Sequence, residues 1–183
     1  MNRLKNKYQT IIVPELKKEL GLTNSLALPA LSKVTINVGI SANKREDKYL
    51  ELVAKTLQRI SGQKPVFTLA RQAISAFKIR EGNVVGATVT LRGNKMYDFV
   101  DKLINITLPR VRDFRGLSYR SIDQQGNLNL GFKEHIAFAE IDSSEVEMLH
   151  GLQLTVNTTA KNKTQGQLLL EKFGFPFKKE NIS

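Results

Sequence analysis

Polar and apolar positions alternate with period two in three stretches of this 183-residue chain. In residues 31–39, Val34, Ile36 and Val38 oppose Lys33, Thr35 and Asn37. In residues 83–92, Ala87, Val89 and Leu91 oppose Thr88, Thr90 and Arg92. In residues 152–159, Leu152, Leu154 and Val156 oppose Gln153, Thr155, Asn157 and Thr159. Successive side chains leave a strand on opposite sides, so each stretch predicts a strand with one face in a core and one in water. Shorter strands are predicted at 66–69 and, after the turn Gln124-Gln125-Gly126-Asn127, at 128–130.

Between these stretches the period lengthens to that of a helix. Residues 3–20 put Leu4, Tyr8, Ile11, Ile12, Leu16 and Leu20 on one side. Pro14 kinks or restarts that helix, and Gly21 closes it. A helix over 45–61 aligns Leu50, Val53, Ala54, Leu57 and Ile60, with Gly62 as a left-handed cap. Gly93-Asn94 opens a third, striped by Met96, Phe99, Val100, Leu103 and Ile104 and limited by Pro109. The last follows Asn162 or Thr164 as cap, carries Leu168, Leu169 and Phe173, and stops at Gly174. Half-wet strands alternating with four amphipathic helices predict an α+β fold. We expect a single two-layer domain over residues 1–183: a mostly antiparallel sheet, helices on one face, and a polar face left in water.

Composition changes the picture by pointing to a polyanion. Lys+Arg number 28 against 17 Asp+Glu, a formal charge of +11, which favours nucleic acid first and an anionic membrane surface second. No apolar run approaches the ~20 residues of a bilayer span, and the basic N-terminus has no apolar segment behind it, so a soluble, non-secreted chain is expected. With no cysteine, disulfides, thiolate nucleophiles and thiolate-bound zinc are excluded, and a reducing compartment suits the chain. The sequence offers no cofactor motif and no metal-ligand spacing.

The outward strand residues are short hydrogen-bonding side chains with a few cations and few carboxylates. Such a face reaches phosphates, 2′-hydroxyls and base edges of folded RNA, and equally describes a merely solvated sheet. The connection from Arg71 to Gly82 carries Arg71, Lys78 and Arg80 among Ile74, Phe77 and Ile79. Its apolar members either fold back on the core or await a partner. The segment after Pro109 interleaves Arg110, Arg112, Arg115 and Arg120 with Phe114 and Tyr119 and reads as an exposed basic loop. Outward aromatics are missing from the strands, Phe67 being the one candidate, so backbone and groove contacts are expected over base stacking. At the start of the third helix, Arg92-Gly93-Asn94 reads either as an anion site or as an ordinary asparagine N-cap. An enzyme is disfavoured. His135 and His150 read as surface or partly buried histidines outside any catalytic motif, and Glu140 with Asp142 or Asp98 with Asp101 need no more than a solvated edge.

The runs GQKPVFTLARQAISAFKIREG, VVGATVTLRGNKMYDFVDKLI and LPRVRDFRGL, with KVTINVG upstream and NTTAKN downstream, resemble bacterial large-subunit ribosomal protein five over nearly the whole chain. The resemblance implies a cytoplasmic, ribosome-bound structural protein of the central protuberance that is monomeric within the particle. It implies binding of 5S rRNA and its attachment to large-subunit rRNA, contact with peptidyl-site tRNA, and a bridge to small-subunit ribosomal protein thirteen. The implied 5S rRNA surface is Asn37, Gln63 and Thr90 with their outward neighbours Lys33, Thr35, Thr88 and Arg92. The implied tRNA-facing loop holds Arg71, Ala73, Ser75, Phe77, Lys78 and Arg80, and Arg110, Arg112 and Arg115 supply other RNA or bridge contacts. This chain departs from the family at Ser41 and Ala42, at Ala139 where a proline is usual, and at His150 to Gln153, where RGMD is typical. Two rivals remain: a free RNA chaperone or mRNA-binding regulator with the same surface, and a small enzyme that needs a concave pocket of converging ionisable groups.

Overall fold

A computed structural model of the protein describes residues 2–41, 46–142 and 148–178. The expected helix start at Arg45 and the departure at Ala42 lie outside the described residues. Strands β1 (Leu31–Gly39), β2 (Val66–Leu69), β3 (Val84–Leu91), β4 (Leu128–Phe132) and β5 (Leu152–Thr158) form one mostly antiparallel sheet, ordered β2-β3-β1-β5-β4. The helical runs are α1 (Arg3–Lys7) with α2 (Val13–Leu20), α3 (Asp47–Ser61), α4 (Gly93–Lys102) with α5 (Leu108–Arg110), and α6 (Lys163–Phe173). Each predicted strand and helical interval is present, and the class is α+β.

Pro14 restarts the first run: it stands in the first turn of α2, the position the sequence offers for it. A π turn at Tyr8–Ile12 joins α1 to α2, and the N–H of Val13 bonds five residues back to the carbonyl of Tyr8. The same device recurs before Pro109, where Leu103–Thr107 form a π turn closed by Leu108 N–H on the carbonyl of Leu103. Each π turn stops two residues short of its proline. A proline ring crowds the carbonyl four residues back and offers no N–H, and widening the preceding turn accommodates both.

Packing divides the chain into two compact units: Met1–Val34, Leu91–Leu130 and Thr155–Ser183 in the first, Thr35–Thr90 and Gly131–Leu154 in the second. The first unit buries Leu4, Ile12, Leu16, Met96, Phe99, Val100, Leu103, Leu169 and Phe173, the apolar stripes of its helices. Tyr8 stacks on Phe173 with ring centroids 5.6 Å apart. Desolvation pushes the Tyr8 and Tyr97 phenols above their ordinary range. Lys172 bridges Glu19 at 2.7 Å and Glu15 at 3.0 Å, tying α6 to α2. Asn162 is the N-cap of α6 and accepts from Gln165 N–H, which resolves the choice between Asn162 and Thr164.

The turn after Ile122 is held by one carboxylate. Asp123 accepts from Gln125 N–H, Asn127 N–H and the Asn127 side-chain amide, each at 2.9 Å. Desolvation raises its pKa, but these hydrogen bonds outweigh that and hold it below the usual carboxylate value. The sign follows from linkage: a depressed folded-state pKa stabilises above the unfolded value, roughly pH 4, and that contribution is lost as pH falls through the folded value. Asp123→Asn should lower stability at pH 7 by about 1 kcal/mol. Denaturant midpoints at pH 7 and near pH 3 check this, and a gap between the two proteins that does not shrink in acid would contradict it.

The second unit buries Tyr49, Val53, Leu57 and Ile60 of α3 with Ile36, Val38, Ala87, Val89, Phe138, Leu152 and Leu154. Here the structure corrects the sequence reading of both histidines. His135 and His150 are only 2% and 5% exposed, with ring centroids 4.1 Å apart and planes 11° from parallel. His135 N–H donates to the carbonyl of His150 at 3.2 Å. This pairing of chain segments 15 residues apart brings the rings together, and no local pattern announces it.

Candidate nucleic-acid interface

The alternation in β1 and β3 survives as burial: Val34, Ile36, Val38, Ala87, Val89 and Leu91 are enclosed, while Lys33, Thr35, Asn37, Thr88 and Thr90 keep partial access to water. The two strands are neighbours inside the sheet, so Thr35, Asn37, Thr88 and Thr90 stand shoulder to shoulder on its open side. Within the second unit the Thr88 hydroxyl donates to the carbonyl of Ile36 at 3.2 Å. Gln63 reaches this surface from another element. Gly62 caps α3 at φ 64°, the chain reverses, and the Gln63 side-chain amide donates to the carbonyl of Thr90 at 3.4 Å. The structure thus gathers Thr35, Asn37, Gln63, Thr88 and Thr90 in one unit, although Gln63 belongs to no outward strand pattern.

The edge strand refines this surface. In the β2–β3 register Val66 faces Thr88 and Phe67 faces Ala87, and directly opposed residues share a face. Val66, 67% exposed, therefore stands on the open side. Phe67 is turned to the apolar side, where its 37% exposure reflects the sheet edge. It is not an outward aromatic. The face offers amides and hydroxyls, each able to donate and accept, which suits 2′-hydroxyls and base edges better than stacking.

Lys33 and Arg92 stand in the first unit, Lys33 two residues before Thr35 on the same side of β1. Arg92 is the N-cap of α4, with an extended backbone and no side-chain capping bond. The ordinary asparagine cap is therefore absent: Asn94 instead accepts from Lys5 through its side chain and from Asn2 through its carbonyl, both at 3.3 Å.

The connection between β2 and β3 is more ordered than its composition suggests. Ala70 N–H donates to Asn83 at 2.8 Å and Gly82 N–H to Ala70 at 3.0 Å, and Ile74 and Ile79 exchange bonds of 2.9 and 3.1 Å. These ladders extend the hairpin to a turn at Ser75–Phe77, after which Lys78 takes a left-handed φ of 52°. Arg71, Ala73, Ser75, Phe77, Lys78 and Arg80 are all exposed. Ile74 and Phe77 remain 45% and 66% exposed, so the tip does not fold back on a cluster of its own.

In the first unit Arg110, Arg112, Arg115 and Arg120 are exposed. The segment they occupy is anchored rather than loose. Leu117 is buried and exchanges backbone bonds with the Pro176–Lys178 stretch at 2.7 and 2.9 Å, and Tyr119 stacks on Phe177 with centroids 4.9 Å apart.

Two hollows among the described residues of the second unit bear on the reading. One, of about 430 Å³, is walled by Lys48, Glu51, Lys55, Arg59, His135, Asp142 and Met148. Its charges are of both signs, its Thr56 hydroxyl donates to the carbonyl of Leu52 at 2.9 Å, and its histidine is held in the buried stack. The other, of about 490 Å³, lies at the open face and is lined by Asn37, Gly39, Gly131, Phe132, Lys133, Gly151, Leu152 and Gln153. The sequence reading missed Lys133 and the glycines; the only sign was glycine at an outward strand position. Among the described residues no helix is long and apolar enough to cross a membrane.

Comparison with known proteins covers the chain in two parts. Residues 24–80 match the family described as ribosomal protein L5, and residues 84–177 match the model of that ribosomal family's C-terminus. The proteins named large ribosomal subunit protein uL5 from Francisella philomiragia subsp. philomiragia and from Francisella tularensis subsp. novicida and subsp. tularensis are each 49% identical to it over 178 residues. That alignment spans 97% of this chain and 99% of each relative.

Proposed function

Because the chain belongs to the ribosomal protein L5 family, a structural family of the large ribosomal subunit and not an enzyme family, we propose that its open sheet face is the surface that holds 5S rRNA. The chain is an rRNA-binding constituent of the cytoplasmic ribosome. The observation that supports the finer reading is the convergence of the amides and hydroxyls of Asn37, Gln63 and Thr90 with Thr35 and Thr88 on one patch of the second unit. Through it the protein attaches 5S rRNA to large-subunit rRNA in the central protuberance. The ladder-stiffened hairpin tip faces peptidyl-site tRNA, and the arginines of residues 110–115 serve further RNA or bridge contacts, including small-subunit ribosomal protein thirteen.

Alanine at Asn37, Gln63 or Thr90 should each cost about 1–3 kcal/mol of 5S rRNA binding, since a buried RNA partner is left unpaired, with folding unchanged because surface substitutions move stability by within about 0.5 kcal/mol. Filter binding to 5S rRNA, with a mismatched stem-loop as control, tests this. Three variants that bind like the parent would mean that the face is only solvated.

The hairpin tip is a separate surface. Lys78→Ala with Arg80→Ala should leave 5S rRNA affinity intact and speed release of peptidyl-site tRNA from ribosomes by a few-fold, as expected for loss of two solvent-screened charges. The opposite result, lost 5S rRNA binding with normal tRNA retention, would exchange the two assignments.

A further inference from the structure

The hollow at the ends of β1, β4 and β5 is built from absences. Gly39 and Gly131 occupy outward positions of β1 and β4 and are exposed. Neither has a left-handed φ, and a Cβ added to either would meet no atom within 4 Å. Nothing in the local backbone requires glycine there. What the missing side chains do is leave main chain bare as a flat floor. Gly151 completes it for a different reason, since its Cβ would stand 2.9 Å from the carbonyl of Phe132. Phe132 and Leu152 are buried, so the hollow has no aromatic ring exposed in its floor.

Three polar side chains ring this floor: Asn37, Gln153 and Lys133. None makes a hydrogen bond or ion pair among the described residues, although each can make several. The lining contains no carboxylate. Its volume of about 490 Å³ falls in the range of sites for small, compact groups, roughly 300–1,000 Å³.

Resting on the 5S rRNA reading of the same face, we propose that this hollow accepts one unpaired nucleobase of the bound RNA. A paired base cannot enter, because in an A-form helix its edge lies within the groove and its faces are stacked; a splayed nucleotide presents both. The flat main-chain floor takes the face of the base. The amides of Asn37 and Gln153 meet its hydrogen-bonding edge with donor and acceptor alike, and the Lys133 ammonium meets the adjoining phosphate. The hollow thus selects a local RNA shape, a flipped-out nucleotide beside a helix, where the hydroxyl-rich part of the face would grip any suitable groove.

The experiment pairs a filled hollow with a missing base. Gly131→Val puts a β-favouring side chain into open space, so the fold should persist, as circular dichroism and the denaturant midpoint will report. Its affinity for 5S rRNA should fall by about tenfold or more, the cost of hydrogen bonds left unmade at one base. A set of 5S rRNAs, each abasic at one unpaired position, is then titrated with the parent and with Gly131→Val. One abasic position should weaken the parent about tenfold and leave Gly131→Val no worse than before. Gly131→Val binding like the parent, or abasic losses that are the same for both proteins at every position, overturns the hollow while leaving 5S rRNA binding standing. A parent protein that does not hold 5S rRNA removes the underlying reading and this inference with it.

Discussion

Gly166→Ala should destabilise the protein by roughly 3 kcal/mol, although alanine in a helix interior is ordinarily preferred over glycine by about 1 kcal/mol. Gly166 lies in α6, and a Cβ there would collide with the Cα and the carbonyl oxygen of Gly126. Both obstacles are main chain and cannot rotate away. Gly126 is itself constrained, with φ +81° and with its own hypothetical Cβ 2.8 Å from Ala160. The turn that carries it is bolted in place by the Asp123 carboxylate, by Asn127 accepting from Thr158 N–H at 3.0 Å, and by the Thr158 hydroxyl donating to the carbonyl of Gly126 at 3.0 Å. Relief therefore requires breaking that network or moving α6 off a core that includes Leu169, Leu170 and Phe173. The collision outweighs the gain in propensity. A urea midpoint equal to or above that of the parent would show that the two backbones separate cheaply.

How far the sequence is legible depends on the range of the interaction that decides each feature. Strand faces and helix stripes come from periods of about two and 3.6, so the alternation of Thr35 and Asn37 with Ile36 and Val38 already places the open face. The caps at Gly21, Gly62 and Gly174 are equally local, all left-handed in the structure. Registers are not local. Phe67 is an outward candidate by alternation alone, and only its pairing with Ala87 turns it inward; the shift between Thr68 and Leu69 is invisible to any alternation rule. Gln63 joins the candidate surface only because a helix cap throws it across to Thr90. The ladders that stiffen the 70–83 hairpin and the His135–His150 stack likewise join residues whose types carry no sign of their partners. The π turns before Pro14 and Pro109 lie between these cases: the prolines are visible, but whether a helix breaks or widens depends on what its neighbours bury.

The other large effect falls on RNA binding. Gly86→Val should lower 5S rRNA affinity by more than about tenfold, even though residue 86 supplies no functional group, because it disturbs several hydrogen-bonding positions at once. Its open-side position lies between two strands, opposite Thr68 in the β2–β3 register. A Cβ there would come within 2.9 Å of both the Thr68 hydroxyl and the carbonyl of Val38, and 3.7 Å from the side-chain oxygen of Asn37. The threonine side can yield by a rotamer change; the carbonyl of Val38 belongs to β1 and cannot yield without displacing the strand that carries Asn37. Crowding of this kind costs about 1–3 kcal/mol in stability, well short of unfolding a protein with a typical reserve of about 5–15 kcal/mol. On the proposed reading, the face holds RNA by hydrogen bonds whose strength falls steeply once geometry is lost, so a displacement of β1 that the core tolerates is amplified at Asn37 and Thr88. The expected result is a folded protein with a modestly lowered midpoint and weak 5S rRNA binding. Folding and affinity measured on one preparation decide it: a variant that folds and binds as well as the parent would mean that the RNA does not depend on the spacing of β1 and β3.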